Sequence, residues 1–407
     1  MTATTSVTSD NDGGAGETNA SRRVVAAVLV NTIGTSTSTL VLPLVAFQRH
    51  GGMAGSLLFV GGALLGKLLG SVMAPRLKGI EGRAVFIRFS CVLAAVQVAY
   101  FLSVQAGAPG WTDVLVYLVF GCCSAILSVG QFQMIGGAVS NERMAGFYAT
   151  LSSVVQAGSL IGAGAVAALG HVGGVRYALL LDAATYLLAA ALLRGLVLAG
   201  SGASGQRSPS WAVVLPFLPL ILLGSLPAIA VTILNASFPE MARVLADGRT
   251  EFIGYLDISY ALGGLGMGFA LSRWGGDRAT LVWPLLSCVL SLGALTALVW
   301  QRAPVTALLA ALFAVNAALT VLNVRVFAQL QRRSSHALKG RVASVTLIAN
   351  LVIVTALGGL KQLVPDASLE LYLGVLVGAA VLLAPLLPLD ARRGAARPRT
   401  TKQVADA

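Results

Sequence analysis

Four ionisable residues fall inside runs apolar enough to lie in lipid: Lys67, Asp182, Asp257 and Arg325. A charge at the centre of a bilayer costs at least ~2.5 kcal/mol on insertion scales unless it is paired or hydrated, so each is a candidate for coupling or charge pairing. Lys67 interrupts a glycine-rich run about eight residues, hence roughly 12 Å, from the end of its helix. It either snorkels to the interface, attracts an anionic substrate group, or forms a state-dependent pair with a carboxylate, Asp182 or Asp257. Asp182 stands open both to a structural partner and to a role as a proton site. Asp257 lies more than one turn inside its run with Tyr260 on the same face, which suits a coupling or substrate residue. Arg325 sits close enough to a helix end to snorkel.

Neutral polar residues mark a second pattern. Asn31, Thr35 and Ser38 share one helical face, and Asn316, Thr320 and Asn323 share another. With Gln131 and Gln133, and with Thr232 and Asn235, they fall in the first, tenth, fourth and seventh apolar runs. Any one of these is ordinary polar glue between helices, but their coincidence over four runs favours the wall of a substrate cavity. Groups of small residues point instead to close backbone approach. Gly62, Gly66 and Gly70 recur every fourth residue, as do Gly158 and Gly162, and Gly264 and Gly268. Together with Arg76 they are read as gating or packing positions.

The residue types that enzymes need are not assembled. There is no phosphate-cradling Gly-Lys-Ser/Thr loop and no nucleophile elbow. His50, His171 and His336 are far apart, and Cys91, Cys122, Cys123 and Cys288 all lie in apolar runs without metal-site spacing. No catalytic residue, cofactor or metal is expected.

The elements that must carry these positions follow from composition. Of 407 residues, 56% are hydrophobic and 11% charged, against roughly 25% charged in soluble domains. Apolar runs near 20 residues match the ~30 Å hydrocarbon layer as helices. Twelve are expected, at about 24–47, 54–75, 84–105, 112–136, 149–171, 174–195, 211–237, 252–273, 280–300, 303–330, 342–362 and 369–389. An even number places both termini on one side. Twenty of the 28 basic residues then fall on that side and six, Arg49, Arg176, Arg243, Arg249, Arg302 and Lys361, on the other. That bias makes the termini cytoplasmic and the cell inner membrane the location. The net charge of +12 is thereby a matter of topology, and nucleic acid is excluded as a partner. Trp111, Trp211, Trp274, Trp283 and Trp300 all stand at span ends, as an interfacial belt requires.

The expected organisation is a disordered cytoplasmic tail over 1–21, a six-helix bundle over 22–195, a Gly/Ser-rich cytoplasmic linker over 196–210, a second six-helix bundle over 211–390 and a basic tail over 391–407. The halves read as weak copies. Residues 141–151 align with 335–345, and Gly61-Gly62 with Gly263-Gly264. Same-direction repeats of this kind enclose a central site in one class of transporter.

The run Gly158 to Gly164, then Gly173-Gly174 and Leu181-Asp182-Ala183-Ala184-Thr185-Tyr186-Leu187, resembles the fifth and sixth helices of the major facilitator superfamily. More narrowly, with Gln329-Leu330-Gln331 and Leu338-Lys339-Gly340-Arg341-Val342-Ala343-Ser344, it is similar to the branch of enterobactin-type siderophore exporters and macrolide-efflux proteins. The loop after the second span keeps Gly70 and Arg76, with Ala74 or Pro75 where the superfamily usually carries an acid. The resemblance extends over about residues 22–390. It implies an all-α integral membrane protein of twelve helices in two pseudo-repeats. It also implies proton-coupled export of a drug, antibiotic, siderophore or other secondary metabolite by a monomer whose partners are a small-molecule substrate, protons and the bilayer. An uptake permease and a transport-inactive sensor or assembly protein are the alternatives.

Overall fold

The computed structural model describes residues 12–50, 53–77, 81–171, 175–196, 211–245, 251–274, 280–363 and 369–385. Among these the chain forms twelve α-helices and short 3-10 turns, with no strand. It divides into two compact units, Met1–Ser208 with Ser335–Ser344, and Pro209–Ser334 with Val345–Ala407.

The first unit holds α1 (Asp12–His50), α2 (Met53–Met73), α3 (Gly82–Gln105), α4 (Trp111–Ala138), α5 (Met144–His171) and α6 (Ala178–Leu193). The second holds α7 (Leu218–Leu245), α8 (Glu251–Trp274), α9 (Val282–Trp300), α10 (Val305–Arg333), α12 (Leu369–Leu383) and the greater part of α11 (His336–Leu363). The described residues include seven stretches long and apolar enough to cross a membrane, and two shorter apolar helices. Trp111, Trp274, Trp283 and Trp300 stand at helix ends and are all at least two-thirds exposed, as amphipathic rings at an interface are.

Three expectations from hydropathy need correction. Residues 12–21 are the start of α1, not part of a disordered tail; polar residues continue an apolar helix beyond lipid without cost to its hydrogen-bond ladder. The seventh helix starts at Leu218, and Trp211–Phe217 form a 3-10 stretch, because Pro216 and Pro219 lack the N–H groups an α-helical ladder needs there. The twelfth ends at Leu383, just before Pro385. The linker from 197 and the tail over 391–407 lie outside the described residues.

Within each unit the same helix pairs pack. In the first, α2 lies along α4, α3 along α4 and α6, and α1 along α2 and α6. In the second, α8 lies along α10, α9 along α10 and α12, and α7 along α8 and α12. Shift the first set by six helices and it becomes the second. The turns repeat as well. After α3, Gly107 takes a left-handed backbone (φ 64°) and Ala108 N–H returns to the Ser103 carbonyl. After α9, Arg302 does the same at φ 49° and Ala303 N–H returns to Leu298. An Ala-Pro pair follows in both, Ala108-Pro109 and Ala303-Pro304.

Glycines set the closest approaches. A methyl at Gly66 would strike the Leu118 carbonyl of α4, one at Gly70 the Cys122 carbonyl, and one at Gly121 of α4 the Ala63 carbonyl of α2. In the second unit a methyl at Gly263 would strike the Phe313 carbonyl of α10. Because these obstacles are backbone atoms, no rotamer change relieves them. Gly66→Ala is expected to cost about 1–3 kcal/mol through overpacking, whereas Gly61→Ala, which meets nothing within 4 Å, leaves stability unchanged. Denaturation of the two variants in detergent checks the contrast.

Candidate functional site

α1, α3 and α6 meet at a carboxylate in the core of the first unit. Asp182 on α6 is fully buried. It accepts a hydrogen bond from the Ser38 hydroxyl of α1, one of 2.7 Å from Gln97 Nε2 of α3, and one of 3.4 Å from the Thr185 hydroxyl. Gln97 Nε2 also donates to Ser38 Oγ at 2.7 Å. Gly34 lets α1 approach this closely, since a Cβ there would collide with Asp182 Oδ1 and Thr185 Oγ1. One turn along α6, the buried Tyr186 bonds to Thr35 of α1. Every donor to the carboxylate is neutral. Such a group can hold a proton, or stay ionised on three donors, without moving a cationic partner.

The polar face of α1 is therefore turned into its own bundle. Ser38, expected on a cavity wall, is completely buried against Asp182, and Thr35 is spent on Tyr186. Asn31 is 7% exposed with its Oδ1 lacking a partner. The cause is a carboxylate on α6, packed directly against α1 but remote in sequence, which spacing along α1 does not reveal. Gln97 escaped the sequence reading for the same reason; a lone glutamine inside a span was the available signal.

A second charged cluster lies at the far end of α1. Arg49 Nη1 pairs with Asp113 Oδ1 of α4 at 2.6 Å, and Arg49 Nη2 donates to the Ala108 carbonyl. Asp113 is fully buried, in the first turn of α4 where the helix dipole favours an anion. Alongside, the Tyr100 and Tyr117 hydroxyls share a hydrogen bond of 2.8 Å, and Arg49 also bonds Tyr100. Sequence reasoning left Arg49 in a loop and passed over Asp113. An acid in the first turn of an apolar helix was the overlooked sign.

Basic side chains close the opposite helix ends. Arg23 donates to the Leu192 and Arg194 carbonyls at the end of α6, at 3.0 and 2.9 Å, and Arg83 to Leu196. Lys339 Nζ donates at 2.8 Å to the Gly136 carbonyl in the last turn of α4. Each cation meets carbonyls that lack intrahelical partners and carry the negative end of the dipole. Burial lowers the Lys339 amine below the usual lysine range. The unfolded chain thus keeps this proton to higher pH than the folded one. The residue's contribution to stability therefore rises as pH climbs from the lowered value to about 10.4. Lys339→Met should cost about 0.5–2 kcal/mol near neutrality and flatten that rise in thermal unfolding scans across alkaline pH.

The remaining candidates are dispersed. Lys67 is exposed on α2 and Asp257 exposed on α8; neither is among the partners of Asp182. Arg325 is half-buried, with Nη1 donating to the Thr280 carbonyl at 3.1 Å. Asn316 is buried and donates to the Tyr260 carbonyl at 2.7 Å, fixing α10 to α8. Thr320 is buried and Asn323 half-buried. Gln131 and Gln133 are half-buried on α4, and Gln133 approaches Gly340, where a Cβ would collide with its amide. The side chains of Thr232 and Asn235 lie outside the described residues. Gly62, Gly66 and Gly70 face α4, Gly158 and Gly162 face α1, Gly264 and Gly268 are buried, and Arg76 is exposed. All four cysteines are free.

No family model matches the chain, and no curated protein matches it in sequence. Solved structures do. A bacterial homologue of the iron transporter ferroportin, in an outward-facing state, superposes with a TM-score of 0.70 at 16% identity over 92% of this chain and 99% of that one. The proton:xylose symporter XylE of the major facilitator superfamily gives 0.72 at 13%, covering 91% and 95%. The E. coli fucose:proton symporter FucP gives 0.70 at 12%, covering 92% and 98%. At these identities the likeness is one of fold. The chain has the major facilitator fold: an all-α, multi-pass membrane protein of twelve helices in two six-helix repeats.

Proposed function

We propose that this protein is a secondary active transporter that couples proton movement to export of an amphipathic small molecule by alternating access. The observation that carries this reading is Asp182, a carboxylate buried in a membrane-spanning bundle and held by neutral donors alone. The named structural neighbours, two of them proton symporters and one a homologue of an iron transporter, supply the precedent for this fold moving small solutes. The sequence resemblance to siderophore and macrolide exporters favours export, with a drug, antibiotic, siderophore or other secondary metabolite as cargo. Lys67 and Asp257, exposed on their own units, are the residues we assign to charged substrate groups. Both termini face the cytoplasm of a cell membrane on the basic-residue bias.

Uptake is the second reading, favoured by the two neighbours that are symporters. Vesicles of both orientations, challenged with a substrate panel under an imposed pH gradient, decide. Export predicts proton-dependent accumulation in everted vesicles. Accumulation in right-side-out vesicles instead makes the protein a permease, and absence of flux in both makes it a sensor or assembly protein.

A further inference from the structure

Two donors converge on one oxygen of Asp182. Ser38 Oγ and Gln97 Nε2 both reach Oδ2, the arrangement an ionised carboxylate requires. The same amide leaves its other end unused: Gln97 Oε1 is buried with no hydrogen-bond partner, on a residue with no exposure at all. A buried acceptor without a donor is a costly feature that native cores rarely keep without a reason. Here the missing donor is identifiable. When a proton binds Oδ2, the carboxyl becomes a donor and Nε2 loses its acceptor there. A half-turn of the terminal amide, whose last torsion is broad and two-fold, brings Oε1 to accept that new O–H.

We propose that Gln97 is a rotating amide that reads the proton on Asp182, donating through Nε2 to the carboxylate and accepting through Oε1 from the acid. The step forms one O–H bond at Oδ2 with a proton from the aqueous phase, releases the Nε2 hydrogen bonds to Oδ2 and to Ser38 Oγ, and forms an O–H···Oε1 bond; no other covalent bond changes. Ser38 serves as hinge, because it touches both partners and its hydroxyl can donate or accept. The three groups sit on α1, α3 and α6, so protonation rewires the links among three packed helices. This deepens the proposed function and rests on Asp182 being its proton-carrying group.

The surroundings leave the switch to these residues. On its own helix Asp182 feels Tyr186, and beyond that ring lies Cys123 of α4. Against it α1 presents Ser38 and Thr35, and α3 presents Gln97. Arg176, in the 3-10 turn before α6, is held away at Gln105 and over the Tyr177 ring. Among the described residues no cation takes part in the cluster.

Infrared difference spectra of the full chain in lipid nanodiscs, recorded across a pH step with side-chain-labelled glutamine, test this. Acidification should raise a carboxylic C=O band that is missing in Asp182→Asn. A labelled amide C=O band should shift in the same step and be missing in Gln97→Met. In Gln97→Met the carboxylic band should move to higher frequency and its pH midpoint should change. A static Gln97 donor would shift that midpoint too when removed, so the pH response of the labelled amide band is what distinguishes a rotating amide from a fixed one. An unchanged carboxylic band in Gln97→Met, a labelled amide that ignores pH, or band changes that follow sodium in place of pH would each overturn the proposal. Should both bands respond as expected while no pH gradient drives flux, the rotating amide stands and the transport reading falls.

Discussion

Asp182→Asn should reduce net flux driven by a pH gradient to the level of vesicles lacking the protein, while exchange of labelled for unlabelled substrate continues. Asparagine matches aspartate in size and keeps an oxygen to accept from Ser38 and Gln97. It cannot gain or lose a proton, so the substitution isolates titration from packing. Exchange requires only that the loaded protein reorient, and a permanently neutral side chain does not forbid that step. Asp182→Ala is a different experiment. It strands the Ser38 hydroxyl and one Gln97 N–H, at about 1–3 kcal/mol for each buried group left unpaired, while Thr185 keeps its 2.7 Å bond to the Asp182 carbonyl, and it is expected to lower folded yield. Gradient-driven flux at the wild-type rate in Asp182→Asn would reduce the cluster to a packing feature.

Arg49→Met should destabilise the first unit by about 3–5 kcal/mol, because it breaks a buried ion pair by removing one partner. Asp113 is fully buried, and Arg49 supplies both its counter-charge and a bond to the Ala108 carbonyl. Removing the guanidinium strips the buried Asp113 carboxylate of its ion-pair partner. Replacing both members is milder, because an apolar pair of similar volume avoids desolvating two charges. Arg49→Met with Asp113→Leu should therefore recover most of the loss. Chemical denaturation in detergent measures all three variants. If the double variant is as unstable as the single one, the pair acts through its hydrogen bonds to Ala108 and Tyr100 more than through charge.

The fold was legible because lipid imposes a strong rule: each crossing needs about 20 apolar residues, and these stand out by composition. Eight of the twelve spans begin within four residues of their helices. The exceptions have local causes, as with the polar first turns of α5 and α11, which carry helix before the apolar run begins. Gly66 and Gly70 were legible as close-approach positions, since four-residue spacing puts them on one face. Pairing across helices was not. Asp182 drew notice as an intramembrane acid, but its partners come from positions 38 and 97, on helices that sequence spacing cannot orient relative to one another. Asn31, Thr35 and Ser38 show the limit most clearly. Their shared face is real, yet whether it turns to a cavity or to a neighbouring helix depends on what that neighbour carries, and α6 carries Asp182 and Thr185.

The most direct test of proton-coupled transport is to follow protons and substrate together. Purified protein is reconstituted into liposomes with a trapped pH indicator, and substrate is added on one side with no gradient imposed. The account predicts a lumenal pH change that starts with substrate movement, scales with it and disappears in Asp182→Asn. Substrate movement with no pH change in the wild type, or an equal pH change in Asp182→Asn, would contradict it.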